Sequence, residues 1–217
     1  MTEILLIRHG ETAWNAVRKL QGHLDIPLNA EGRRQAKALA AGLQQEKLAA
    51  IISSDLQRAI QTAGEIARLQ GLPTRIDAAL RERCFGDFEG KLYSELPEIY
   101  PEEYAHWRQR DPDFHFPPKS DDSKNIGESI REFQQRTINC IVYYAEQFAG
   151  QKIAIVAHGG VLECAYRAAM NLPLNAERTI TIFNASINRF TYQDGRLSLL
   201  SWGDIEHLGD AMLDEVN

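Results

Sequence analysis

Apolar residues recur along this chain in two alternating periods. Short unbroken runs, Ile4–Ile7, Leu48–Ile52 and Lys152–Ala157, have the length and continuity of buried strands. Shorter or alternating stretches predict further strands at Thr74–Ile76, Thr179–Phe183, Ile187–Tyr192 and Leu197–Ser201, with Gln193-Asp194-Gly195 as a hairpin turn between the last two. Between the early strands the period lengthens to that of a helix. Ala36, Leu39, Ala40 and Leu43 share one face of a helix predicted over Glu31–Glu46, with Asn29 as its N-cap. A second helix begins within Ser53–Arg58, where Ser54 and Gln57 have capping-box spacing. It buries Leu56, Ala59, Ile60, Ala63, Ile66 and Ala67 and stops at Gly71-Leu72-Pro73. Gly127 to about Phe148 is a long amphipathic helix, and Val161–Met170 another. Strands alternating with helices predict a layered α/β fold.

One stretch breaks the alternation. Arg83–Asn125 has no clear period, holds Pro97, Pro101, Pro112, Pro117 and Pro118, and ends in the polar run Lys119–Asn125. Such an insertion in a domain of this size is commonly a lid or a specificity region. Its aromatic residues, among them Tyr93, Tyr104, Trp107 and Phe116, suit either a cover over an organic group or a small core of the insertion's own. The tail Asp210–Asn217 is expected to fray. At 217 residues the chain suits one domain, 1–217, with the insertion at about 83–125.

Composition narrows the functional classes. A net charge of −6 gives no global basic field for nucleic acid. Cys84, Cys140 and Cys164 form no CxxC pair, which fits a reducing compartment without a disulfide framework or a zinc site. No apolar run is long enough for a signal peptide or a membrane span, so a cytoplasmic protein with no membrane partner is expected. His23, His106, His115 and His207 show no metal-ligand spacing, and no metal or other cofactor is expected.

The chemistry gathers where strands end. The first strand runs into Arg8-His9-Gly10-Glu11-Thr12, the second into a helix that shows Arg58 in its first turn, and Lys152–Ala157 into His158-Gly159-Gly160. In open α/β sheets ligands bind outside the carboxyl ends of the strands. One site there would collect two histidines and two arginines, too much positive charge to bury without an anion. A helix N-terminus and a guanidinium fork both suit phosphate oxygens.

These residues also carry a resemblance. Leu6–Thr12, Asn15, Ser54–Ala63, Leu80-Arg81-Glu82 with Phe85–Gly90, and Val156–Gly160 are similar in order and spacing to the histidine phosphatase superfamily, also called phosphoglycerate-mutase-like. The resemblance continues at Asn184–Ile187 and Trp202–Leu208. It implies a three-layer α/β/α sandwich with a mostly parallel central sheet. It implies further that His9 is the nucleophile, that Arg8, Arg58 and His158 clamp the phosphoryl oxygens with Asn15 as a further donor, and that Glu82 protonates the leaving oxygen. Gln21 and Gly22 fall on the family's next substrate-contacting loop, and Gly10, Gly159 and Gly160 fit backbone passing close to the phosphate. Such a protein takes a small-molecule phosphate ester, and a homodimer is compatible with the family.

Within the family, Arg83–Gly90 and Gln21 look more like the phosphatase branch than the mutase branch. The expected activity is therefore hydrolysis of a small phosphorylated metabolite through a phosphohistidine. A cofactor-dependent phosphoglycerate mutase is the alternative, for which Arg83, Lys91, Arg108 and Arg110 would supply the second anion site. A non-catalytic phospho-ligand binder is the alternative of another class.

Overall fold

A computed structural model describes residues 1–119 and 127–209. The expected frayed tail, and the polar run beyond Lys119, lie outside the described residues. The helices are α1 (Ala13–Ala16), α2 (Ala30–Gly42), α3 (Gln57–Gln70), α4 (Leu96–Ile99), α5 (Pro101–Arg108), α6 (Ile130–Gln147) and α7 (Gly159–Ala169). The strands are β1 (Thr2–Arg8), β2 (Ala50–Ser53), β3 (Thr74–Ile76), β4 (Lys152–Ala157), β5 (Ile187–Gln193) and β6 (Arg196–Asp204). They form one sheet in the order β3-β2-β4-β1-β5-β6. The β3–β2, β2–β4 and β4–β1 pairs are parallel, while β5 runs antiparallel to β1 and to β6.

The two-residue period of the central strands divides the core into two layers. Ile4 and Leu6 of β1, with Ile153 and Ile155 of β4, face α6 and α7. Leu5 and Ile7, with Ala154 and Val156, face α2 and α3. Both sides of β1 and β4 are therefore covered, which is why their sequences read as unbroken apolar runs. Burying each of the isoleucine, leucine and valine side chains among these contributes about 1.5–3 kcal/mol. The ends of the elements follow local rules. Asn29 caps α2 by accepting from Gly32 N, Ser129 and Glu132 form a capping box on α6, and Gly71 ends α3 in the left-handed region. Asp194 and Gly195, both at positive φ, make the β5–β6 hairpin.

Two expected elements differ. Thr179–Phe183 is not a strand. The carbonyl of Ile182 accepts from Arg8 Nη1 and that of Thr181 from Trp202 Nε1, so its acceptors serve side chains rather than a ladder. The capping box at Ser54 and Gln57 does not form either. Helix α3 starts at Gln57, whose N–H is capped from a distance by Asp25 Oδ1 at 2.6 Å, while Ser54 Oγ turns to His158.

Topology places the site. Strands β1 and β4 are neighbours with Arg8 beside Ala157. The chain leaves β1 toward α2 on one face of the sheet and leaves β4 directly into α7 on the other. The crevice between diverging connections opens at the carboxyl ends of these two strands. Residues 83–119 stand over it with a separate apolar cluster, in which Phe88, Leu96 and Phe116 are fully buried and Phe85, Tyr93 and Trp107 pack around them.

Candidate active site

His9 is the first residue beyond β1 and is buried. Its Nδ1 lies 2.6 Å from the carbonyl oxygen of Gly10. A carbonyl only accepts, so Nδ1 carries the proton and Nε2 of the neutral ring keeps its lone pair. Burial, then Arg58 and Arg8, hold the His9 pKa well below its ordinary value, so the ring is neutral at pH 7.

Two guanidiniums flank it. Arg8 is 3% exposed and Arg58 1% exposed. Neither lies within ion-pair distance of a carboxylate among the described residues. Arg8 donates from Nη1 to the carbonyl of Ile182, and its buried Nε has no hydrogen-bond partner among the described residues. Arg58 donates from Nη1 to Leu24 O at 2.9 Å, from Nη2 to Gly22 O at 2.8 Å and from Nε to His158 Nδ1 at 3.2 Å. Burial lowers both pKa values to about 10, which leaves both charged at neutral pH. Buried cations held only by neutral acceptors form a built anion site.

His158 is buried beside both His9 and Arg58. Its Nδ1 accepts from Arg58, so the neutral ring carries its proton on Nε2, which donates to Ser54 Oγ at 2.8 Å. Its ring centroid is 5.1 Å from that of His9. The cavity itself, of about 560 Å³, is lined by His9, Arg8, Arg58, Glu82, Asn15, Gln21, Gly22 and Gly159 among others.

Glu82 projects from the segment after a 3-10 turn at Ala78–Leu80. Its carboxylate accepts from Arg83 N at 2.9 Å and from Gly160 N at 3.1 Å. The close approach depends on glycine, since a Cβ on Gly160 would stand 2.2 Å from Glu82 Oε1. The backbone around Glu82 is clamped from several sides. Arg81 makes a bidentate pair with Asp55, and His23 Nε2 lies 2.9 Å from Glu82 O. Arg136 donates to the carbonyls of Ala79, Arg81 and Glu82 while paired with Glu128.

Asn15 and Gln21 present amide nitrogens. Asn15 Oδ1 accepts from Thr12 N, and the Thr12 hydroxyl lies 3.0 Å from both Asn15 Oδ1 and Gln21 Oε1, so the oxygen ends of both amides are engaged. Gly22, at φ +52°, passes so close to Glu89 that a Cβ would stand 2.1 Å from Oε1. Helix α7 begins at the site with no side-chain cap, leaving first-turn N–H groups and the positive end of its dipole there.

The outer cavity holds further cations of unequal availability. Arg110 and Arg167 share Glu163 at 2.6 and 2.9 Å. Lys91 donates to Asp87 O and does not line the cavity, and Arg108 is exposed at its rim. Arg83 lines the cavity but has only carbonyl partners. Among the described residues, no cluster of His, Cys, Asp and Glu could hold a metal ion, and no helix is long and apolar enough to cross a membrane.

The histidines set a pH dependence of stability. Burial lowers the pKa of both His9 and His158 well below 6.5. Below that value the unfolded chain binds protons that the folded chain refuses, so stability present above pH 6.5 is lost as pH falls. Each excess proton costs about 1.4 kcal/mol per pH unit. Urea unfolding at pH 7.5, 6 and 5 is expected to show ΔG falling across this window. A flat profile from 7.5 to 5 would show that these rings are not held neutral.

Sequence reasoning did not find the groups that hold the site. Thr62 Oγ1 accepts from Gly10 N, Ile182 supplies a carbonyl to Arg8, and Arg136 with Glu128 fixes the Glu82 segment. Of these Thr62 lies within the Ser54–Ala63 block, but its bond to Gly10 N, and the pairing of Glu128 with Arg136, are contacts that spacing alone does not give.

The family model of the histidine phosphatase superfamily (branch 1) matches residues 4–205. Phosphoglycerate mutase-like protein 4 of Arabidopsis thaliana is 39% identical over 209 residues, covering 95% of this chain and 86% of that protein. A metal-independent phosphoserine phosphatase of the same plant is 34% identical over 210 residues, covering 96% of this chain and 84% of that protein. Among solved structures, Bacillus stearothermophilus YhfR superposes with a TM-score of 0.85 at 30% identity, covering 96% of this chain and all of that one.

Proposed function

Because the chain belongs to the histidine phosphatase superfamily, branch 1, we propose that it is a phosphomonoesterase that hydrolyses a small phosphorylated metabolite through a phosphohistidine at His9. The observation that carries this reading is the pair of buried guanidiniums, Arg8 and Arg58, held by neutral acceptors beside a neutral histidine whose Nε2 is unprotonated. Attack of Nε2 on phosphorus breaks the ester P–O bond, and Glu82 gives its proton to the leaving oxygen. Glu82 then takes a proton from water, whose oxygen attacks phosphorus as the P–N bond breaks. Inorganic phosphate leaves, and neutral His9 and protonated Glu82 are restored. Arg8, Arg58, the Asn15 amide and the start of α7 at Gly159 offset charge on the equatorial oxygens throughout. We place His158, which accepts from Arg58, with Arg8 and Arg58 in the clamp on the phosphoryl oxygens, and Gln21 and Gly22 against the substrate.

The hydrolase reading rests on the likeness of Arg83–Gly90 and Gln21 to the phosphatase branch. Of the outer cations, Arg110 and Arg167 share the single charge of Glu163, Lys91 lies outside the cavity, and Arg18, Lys19, Arg108 and Arg178 line it. The relatives carry both names, phosphoserine phosphatase and phosphoglycerate mutase-like, so both reactions belong in the test. We keep the reading of one domain over residues 1–217, whose segment at about 83–125 acts as a lid over the leaving group. The test is free phosphate released from a phosphomonoester panel in EDTA, with conversion of 3- to 2-phosphoglycerate followed alongside, with and without 2,3-bisphosphoglycerate. Release selective for one metabolite is expected. Isomerisation with little release would make the chain a mutase, and binding without either would make it a phospho-ligand binder.

Gly160→Ala tests the placement of Glu82. The new Cβ meets the mobile end of Glu82 and the ring of Phe133 at 2.8 Å, so the carboxylate and ring shift while the helix, which favours alanine, persists. Displacing a general acid by about 1 Å is expected to lower kcat/KM on alkyl phosphates roughly 100-fold. Unchanged kinetics in a folded variant would remove the requirement for this contact.

A further inference from the structure

We propose that Asn184 and Ala185 form a positioning element for the nucleophile, an elbow whose two donors hold the backbone of His9. The inference rests on the phosphohistidine reading of the site and adds what fixes the attacking ring.

His9 lies beyond the last register pairs of β1, which are Arg8 with Ala157 and Ile7 with Ile187. Its carbonyl oxygen accepts from two donors of the elbow, Asn184 Nδ2 at 3.0 Å and Ala185 N at 3.2 Å. Arg8 is held by the same stretch of chain. Its N–H donates to Ser186 O at 3.2 Å, and its Nη1 to Ile182 O. Residues 182–186 thus bracket the nucleophile and the cation beside it.

The elbow is costly where it stands. Ala185 is fully buried at φ +55°, a left-handed conformation in which a Cβ crowds the backbone. The other non-glycine residues at positive φ among the described residues, Arg18, Arg110, Asn171 and Asp194, are exposed or half-buried. Asn184 is 1% exposed, and with Nδ2 on His9 O its buried Oδ1 has no hydrogen-bond partner among the described residues. Turning the amide over would set an oxygen against the His9 carbonyl. Strain of this kind persists only where the surroundings impose it, and it gathers at functional sites. His207 Nε2 donates to Ala185 O at 3.1 Å and Ser186 N to Phe183 O at 3.3 Å, which fixes the elbow from its other side. What the strained residue and the half-satisfied amide have in common is that each sets a donor on His9 O.

Those donors set where the ring stands. His9 Nδ1 is tied to Gly10 O, and Gly10 N to Thr62 Oγ1, so ring and backbone move together. A shift of the His9 carbonyl carries Nε2 out of line with phosphorus, and in-line attack tolerates little displacement. The anion clamp depends on the elbow less. Arg58 is held by Gly22 O, Leu24 O and His158, and Arg8 Nη1 by a backbone carbonyl that a change of the Asn184 side chain leaves in place.

The experiment measures kcat on p-nitrophenyl phosphate and on the best alkyl ester of the phosphomonoester panel, Kd for inorganic phosphate by calorimetry, and the midpoint of urea unfolding. Asn184→Ala removes one donor together with the orphaned oxygen. It is expected to lower kcat about 10- to 100-fold on both esters alike, because attack on phosphorus is common to them. Its Kd for phosphate is expected to stay within about threefold of wild type. Asn184→Ser, which leaves less empty space, carries the same expectation and serves if the alanine variant does not fold. Ala185→Gly relieves the left-handed strain and loosens the elbow. It is expected to lower kcat about three- to tenfold while the urea midpoint stays or rises. A loss confined to the alkyl ester would assign the effect to Glu82 and overturn the proposal. So would a loss of phosphate binding in step with kcat, which marks general support of the site, or kcat within about threefold of wild type in the folded Asn184 variants. A wild-type chain that releases no phosphate and carries no phosphohistidine overturns the hydrolase reading and this inference with it. An active wild type with unaltered variants overturns the inference alone.

Discussion

His9→Ala is expected to lower phosphatase turnover by roughly 10⁴-fold or more while leaving the fold and the anion site in place. The argument is one of atoms. Nδ1 is committed to Gly10 O, so only Nε2 can form the bond to phosphorus, and no other unprotonated nitrogen is offered there. His158, the other ring nearby, has its accepting nitrogen on Arg58 and its donating nitrogen on Ser54. Removing the His9 ring leaves Arg8 and Arg58 on their carbonyl partners, so inorganic phosphate is expected to bind the variant still. Steady-state phosphate release and calorimetric phosphate binding check the two halves. Turnover within tenfold of wild type would remove His9 as the nucleophile.

Glu82→Gln is expected to separate substrates by leaving group. Alkoxides are poor leaving groups and need the proton as the P–O bond breaks, whereas an activated aryl oxide leaves without it. The variant is expected to lose about 10³-fold on an alkyl phosphate and no more than about tenfold on p-nitrophenyl phosphate. The second figure allows for a local cost. The carboxylate accepts from two backbone N–H groups, Arg83 N and Gly160 N, and an amide can accept from only one without turning its own NH2 toward the other. Equal losses on both esters would show that Glu82 positions or shapes the site without transferring the proton.

The strand ends were legible in the sequence because β1 and β4 are covered on both faces. Full burial leaves an unbroken apolar run, and a run that stops at Arg8-His9 or at His158 marks where the strand meets the site. The cap at Asn29 was a local signal, since it is complete within four residues. What could not be read is long-range. Thr179–Phe183 has strand-like composition, yet its carbonyls hold Arg8 and Trp202. Ser54 and Gln57 have the spacing of a box, but Asp25 and His158, 32 and 104 residues away from Gln57 and Ser54, take their side chains. The orientation of His158 belongs with these. Its residue type and strand-end position are read from the sequence, whereas the contacts of its two nitrogens with Arg58 and Ser54 are not. The resemblance to the family supplied roles that pattern alone left open, and the geometry adds how each side chain is held.

The central claim is a phosphohistidine at His9 that passes to water. A chase of the phosphoenzyme tests it most directly. The chain would be mixed briefly with 32P-labelled substrate, and an aliquot quenched in base to preserve acid-labile phosphohistidine. The remainder would be chased with or without unlabelled 3-phosphoglycerate. The account predicts label on His9 that decays to inorganic phosphate at the same rate in both chases. Label that moves to bisphosphoglycerate, or no label on His9 during turnover, would contradict it.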